Sequence, residues 1–176
     1  MSGTIVAKIL FENASYQTHG ELPRIGSAAP DVSLVNTKMQ NASLAKWTGM
    51  RKIMYIGLSV DTEVCARTVT RFDGYMAGHD DVALLIVSYD LPFAHKRFQK
   101  EQGLQRAEGL SAIRHEGFGE NYGVQILDGP LAGMFSPAVV VMDENNTVVH
   151  REHLEDITLE PDYAAAFRAL GIEIDE

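Results

Sequence analysis

The chain has 176 residues, enough for one ordinary domain with a sizeable core, and we expect a single domain over residues 1–176. Hydrophobic residues at 45% and charged residues at 22% are ordinary for a globular protein, and a net charge of -9 argues against a surface for nucleic acid or anionic membrane. The lone cysteine excludes an internal disulfide and suits a reducing compartment, so a cytoplasmic location is expected.

Thr4 to Phe11 is rich in Ile, Val and Leu, and Asn13-Ala14-Ser15 supplies turn residues. With Tyr16 to His19 returning, residues 1–20 read as an N-terminal β-hairpin. No basic n-region precedes a long apolar run there, so no signal peptide is expected, and no stretch of about 18 apolar residues suggests a membrane span. Pro23, Gly26 and Pro30 mark a loop, and Ser43 to Trp47 reads as a short helical turn closed by Gly49. Lys52 to Leu58 is a near-continuous apolar run, the pattern of a strand buried on both faces. Thr62 can cap a helix running to about Gly78. Asp81 to Tyr89 is a second buried strand, and Pro92 opens a helix ending near Gly103. Leu110 to Arg114 is a short strand candidate, and Gly117 to Tyr122 a brief helix. Ala138 to Met142 is a third core strand, joined through the turn 143–146 to a partner over Thr147 to His153. Pro161 opens a last helix with Tyr163, Ala166, Phe167 and Leu170 on one face. This order predicts an α/β layered fold with a mixed central sheet flanked by helices, compatible with the thioredoxin-like fold.

The chemistry concentrates at Cys65, which follows the first buried strand and lies about three residues into the helix predicted from Thr62. A cysteine attacks only as the thiolate, and the positive end of a helix favours an anion. The Thr62 hydroxyl, three residues away, is a candidate hydrogen-bond partner for the thiol or a substrate oxygen. The loop falls at the carboxyl end of a core strand, where open α/β sheets place their sites, so a shallow pocket around Cys65 is expected. Against this, free cysteine is commonly an inert buried hydrophobe, and the carboxylates of Asp61 and Glu63 would disfavour a thiolate.

Ser59-Val60-Asp61-Thr62-Glu63-Val64-Cys65, with Val69-Thr70-Arg71-Phe72, resembles the segment around the peroxidatic cysteine of peroxiredoxins. Ser88-Tyr89-Asp90-Leu91-Pro92-Phe93-Ala94, with Arg97-Phe98, resembles a segment peculiar to the bacterial thiol peroxidase subfamily. Glu108 to Ser111, Asn121 to Val124, Asp128 to Gly133, Ala138 to Glu144 and Thr158 to Tyr163 follow in the same order. The resemblance implies a thioredoxin-like fold and reduction of hydrogen or alkyl peroxides through Cys65, with Thr62 as its partner. It also implies a homodimer, a thioredoxin-like or small-thiol reductant, and no cofactor. Three positions depart from the family pattern. Leu58 stands where the family has its active-site proline, Pro137 where it has its arginine, and Gln99 where the subfamily has its resolving cysteine. The chain cannot complete a two-cysteine cycle alone, so a one-cysteine peroxidase resolved by an external thiol is expected. The alternative is a degenerate peroxiredoxin-fold protein acting as redox sensor or partner-binding dimer. Arg114 resembles an arginine often seen in the subfamily and is the candidate substitute cation, since a catalytic thiol needs one nearby; Arg67 points elsewhere on its helix.

Other features read as structure. His150 and His153 fall on opposite faces of a strand, which disfavours a shared metal, and none is expected. Met54, Met76, Met134 and Met142 read as core fillers, Trp47 as a loop anchor, and Phe93 as either core or pocket.

Overall fold

The computed structural model describes residues 6–175. Val6–Phe11 (β1) and Ala14–His19 (β2) pair antiparallel from Val6↔His19 to Phe11↔Ala14. Glu12 and Asn13 carry this hairpin at φ 49° and 64°, the conformation that a tight two-residue turn demands. The strand start expected at Thr4 lies outside the described residues.

Among the described residues, seven further strands form the main sheet. They are Leu34–Asn36 (β3), Asn41–Ala42 (β4), Arg51–Ile56 (β5), Val82–Ser88 (β6), Ala107–Ser111 (β7), Ala138–Met142 (β8) and Val148–His153 (β9). Their spatial order is β4-β3-β7-β6-β5-β8-β9. β5, β6 and β7 run parallel, while β8 and β3 are antiparallel to their neighbours, so the sheet is mixed. The helices are Glu63–Tyr75 (α1), Pro92–Gln102 (α2), Phe118–Asn121 (α3) and Tyr163–Arg168 (α4).

Successive residues of β5 point to opposite faces, which is why its apolar run is unbroken. Ile53 and Tyr55 join Val69 and Phe72 of α1 and Tyr163 and Phe167 of α4 in one core layer. Met54 and Ile56 join Trp47, Phe118, Tyr122 and Phe135 in the other. Trp47 anchors its loop as expected, buried with its indole N–H donating to Glu108 at 2.9 Å.

Three expectations need correction, and two short strands stand outside any expectation. The strand placed at Leu110–Arg114 is β7, three residues earlier. Its position is set by parallel pairing with β6, from Leu84↔Ala107 to Ser88↔Ser111, which recruits a Glu108-Gly109 pair with no strand signature. β3 and β4 lie in a stretch for which the sequence predicts no element; β3 pairs with β7, and the two-residue β4 pairs in turn with β3. The last helix starts at Tyr163, with Asp162 as N-cap accepting from the Ala165 N–H at 2.8 Å, so Pro161 precedes it. Met134 is 43% exposed, outside the core that holds Met54, Met76 and Met142.

Candidate active site

Because β5 and β6 are parallel, their carboxyl ends release two loops side by side at one end of the sheet. Residues 57–62 lead into α1, with Thr62 at its N-cap, and residues 89–91 lead into α2. Open α/β sheets place their sites at such a crevice.

Cys65 is the third residue of α1, within the first turn and its favourable dipole. Its side chain shares a helix face with Val69 and Phe72, four and seven positions on, and that face packs on the sheet. Cys65 is therefore 2% exposed, so the expected shallow, open setting of the thiol is corrected to a closed-over one. The Tyr55 hydroxyl donates to Cys65 Sγ at 3.3 Å. Burial, foremost, raises the Tyr55 hydroxyl well above the usual tyrosine range, so it keeps its proton. A Cβ at Gly57 would lie 3.2 Å from Sγ and 3.0 Å from the Tyr55 ring; glycine there leaves the space both groups fill.

Thr62 is in the expected place but not in the expected contact. Its hydroxyl donates to the Ser59 carbonyl at 2.9 Å and makes no cap to the helix N–H groups. Arg114 lies beyond β7 and donates to Asn41 Oδ1 at 3.0 Å. Asn41 belongs to β4, at the sheet edge, four strands from β5 and so roughly 19 Å across the sheet at usual strand spacing. The structure thus brings Thr62 and Cys65 into one turn and draws Arg114 away from them.

The acidic neighbours do not act on the thiol as unpaired charges. Asp61 forms an ion pair with Arg97 of α2, and Glu63 pairs with Arg67 at 3.2 Å. Arg67 and Arg71 also bind Glu160, at 2.5 and 2.9 Å, and Tyr163 donates to the same carboxylate at 2.7 Å. These contacts tie α1 to the segment entering α4.

Sequence reasoning missed the network that fixes the two loops to each other. Asp90 accepts from Ser59 Oγ at 2.7 Å, from the Val60 N–H at 2.8 Å and from Ser88 Oγ at 2.7 Å. Ser88 Oγ also contacts His95 Nε2 at 3.1 Å, inside the protein. Burial pushes the His95 pKa down to about 4 against the opposing charge of Asp90, so the ring is neutral near pH 7. The signal was the Ser88-Tyr89-Asp90 motif itself, a short polar interruption after a strongly apolar strand.

The departures from the family pattern also find their places. The register Ile56↔Ala138 sets Pro137 at the same end of the sheet as Gly57, beside the Cys65 loop. Leu58 is half-buried and packs between two apolar clusters. Gln99 donates through its amide to the Ala107 carbonyl, which pins α2 to β7. Phe93 is 65% exposed, next to Leu91 and Tyr89 on the same exposed segment.

The family model described as Redoxin matches residues 24–167. A thiol peroxidase of Mycobacterium bovis is 40% identical over 166 residues, covering 94% of this chain and 99% of its own length. One of Corynebacterium glutamicum is 37% identical over 166 residues, covering 94% and 100%. Among solved structures, a peroxiredoxin-like protein from Aquifex aeolicus superimposes with a TM-score of 0.86 at 28% identity, covering 94% of this chain and 98% of that one.

Proposed function

The chain belongs to the peroxiredoxin family, in its bacterial thiol peroxidase branch, and on that premise we propose that it reduces hydrogen or alkyl peroxides at Cys65, with an external thiol as resolver. The observation that carries this reading is the placement of the only cysteine: first turn of α1, at the carboxyl end of β5, within the family's peroxidatic segment.

The thiolate of Cys65 attacks the peroxide. An S–O bond forms as the O–O bond breaks, the leaving oxygen takes up a proton as water or alcohol, and sulfur becomes a sulfenic acid. One molecule of external thiol condenses with the sulfenic acid, releasing water and leaving a mixed disulfide. A second thiolate attacks that disulfide and frees Cys65. Gln99, held on Ala107, supplies no sulfur for an internal step. With Cys65 closed over, the loop of residues 57–62 must move aside for peroxide to enter, while Cys65 stays on α1 against β5. Opening also releases Thr62 from the Ser59 carbonyl, which frees its hydroxyl for the thiol or the peroxide. The exposed apolar segment of Tyr89, Leu91 and Phe93 serves as a face for a homodimer, which sedimentation velocity checks.

The experiment is peroxide turnover with excess thiol and a reductase system. The native chain should consume peroxide and Cys65→Ser should not; equal rates overturn the reading. The burial of Cys65, and the fact that among the described residues its one hydrogen-bond partner is the neutral Tyr55, favour a second reading, a slow redox sensor on the same fold. It predicts oxidation of Cys65 without sustained turnover.

A further inference from the structure

The thiol of this chain lacks the guanidinium of its relatives, and the arginines of α1, α2 and the β7 end are committed elsewhere. Arg67 and Arg71 bind Glu160, Arg97 binds Asp61 and Glu101, and Arg114 binds Asn41. Among the described residues, one side chain hydrogen-bonds Sγ, and that is Tyr55 at 3.3 Å. Its ring is locked in β5, 1% exposed and 6.3 Å from the Phe72 ring, so the hydroxyl has one direction to point. Thr68, one turn along α1 from Cys65, is fully buried and lies close to the Tyr55 hydroxyl.

We propose that Tyr55 is a catalytic residue of this chain, its O–H donating to the Cys65 thiolate in place of the missing arginine. This rests on the peroxidase reading. The donor bond grows stronger when sulfur carries a full negative charge, so it selectively favours the reactive form. In the attack, two electrons pass from sulfur to the peroxide, the S–O bond forms, the O–O bond breaks, and the departing oxygen is protonated from solvent. Tyr55 keeps its own proton throughout, as its burial requires. A neutral donor in a dry site does not draw substrate as a guanidinium does, so peroxide oxidation of Cys65 should be slow.

The test is alkylation of Cys65 by iodoacetamide across pH, in the native chain, in Tyr55→Phe, and in a chain with Tyr55→difluorotyrosine, whose more acidic hydroxyl is a stronger donor. Tyr55→Phe should slow alkylation about tenfold at pH 7, the worth of one charge-assisted bond, and move the rate–pH curve to higher pH. The difluorotyrosine chain should move it to lower pH. The position of the curve, not its height, separates donor chemistry from mere access. Superimposable curves for the three chains overturn the proposal; if Tyr55→Phe fails to fold, the difluorotyrosine and native curves decide it. Peroxide turnover measured in parallel separates the two claims. A responsive curve without turnover sinks the peroxidase reading and leaves Tyr55 as the thiolate donor. Turnover with an unresponsive curve sinks Tyr55 alone.

Discussion

Three hydrogen bonds converge on Asp90, and through Ser88 they extend to a histidine that folding has stripped of water. That histidine makes the loop pair sensitive to acid. His95 has an ordinary value of 6.5 when unfolded and is pushed to about 4 by burial when folded. Between those values the unfolded chain binds a proton that the folded chain does not. Stability therefore falls as pH drops from about 6.5 towards 4, and the loss levels off below that. For this one group it amounts to roughly 2 kcal/mol by pH 5. Burial lowers the pKa of His150 and His153 too, which adds loss of the same sign. Urea unfolding at pH 7 and pH 5 should show this drop in the native chain and a smaller one in His95→Gln. An equal drop in both would show that His95 is not the sensor.

At the scale of elements, α2 is held to β7 by close approach. A Cβ on Gly109 would fall 2.6 Å from His95 Cβ and 2.7 Å from its Nδ1, so the strand needs a glycine for the helix to seat. Gly109→Ala should cost about 1–3 kcal/mol, because the Cβ of His95 cannot move without its helix. The loss reads as a lower urea midpoint at unchanged slope, and an unchanged midpoint would mean that the helix yields freely. α1 is held differently. Its inner face is apolar through Val69 and Phe72, and its outer arginines converge on Glu160 beside Tyr163. Exposed pairs of this kind contribute little each, so the packing of Phe72 against Tyr163 at 4.8 Å carries more of the docking. The loop entering that first turn, where Cys65 sits, is tied to α2 and its leading loop by the Asp61–Arg97 pair and the Asp90 bonds. Opening the site means releasing those contacts rather than dissolving the core.

At the scale of the whole molecule, the sheet order joins distant parts of the chain at one end. β8 lies antiparallel to β5, so Pro137 arrives beside the Cys65 loop from more than seventy residues away. Pro137→Arg should restore a cation there and raise Cys65 alkylation at pH 7 by about tenfold or more, since a nearby opposite charge favours the thiolate. An unchanged rate would mean that the new guanidinium pairs elsewhere. Proline has no N–H to lose, and its carbonyl bond to the Leu154 N–H survives the change. Much of this architecture was legible in the amino-acid order. The apolar runs of β5, β6 and β8 marked their own strands, because burial on both faces leaves no polar alternation. Pro92 and Gly103 bounded α2 through backbone chemistry that acts locally. The motif around Thr62 and Cys65, with its order of later segments, carried the family. Other features depended on which strand lies beside which. β3 exists because β7 templates it and β4 because β3 does, and Arg114 turns to Asn41 because β4 is the strand it meets. Cys65 is closed over because its helix face happens to be the one that packs, and Tyr55 reaches it across ten residues of sequence. Such contacts are set by packing through space, and a chain order records them only where a local signal and a tertiary partner coincide.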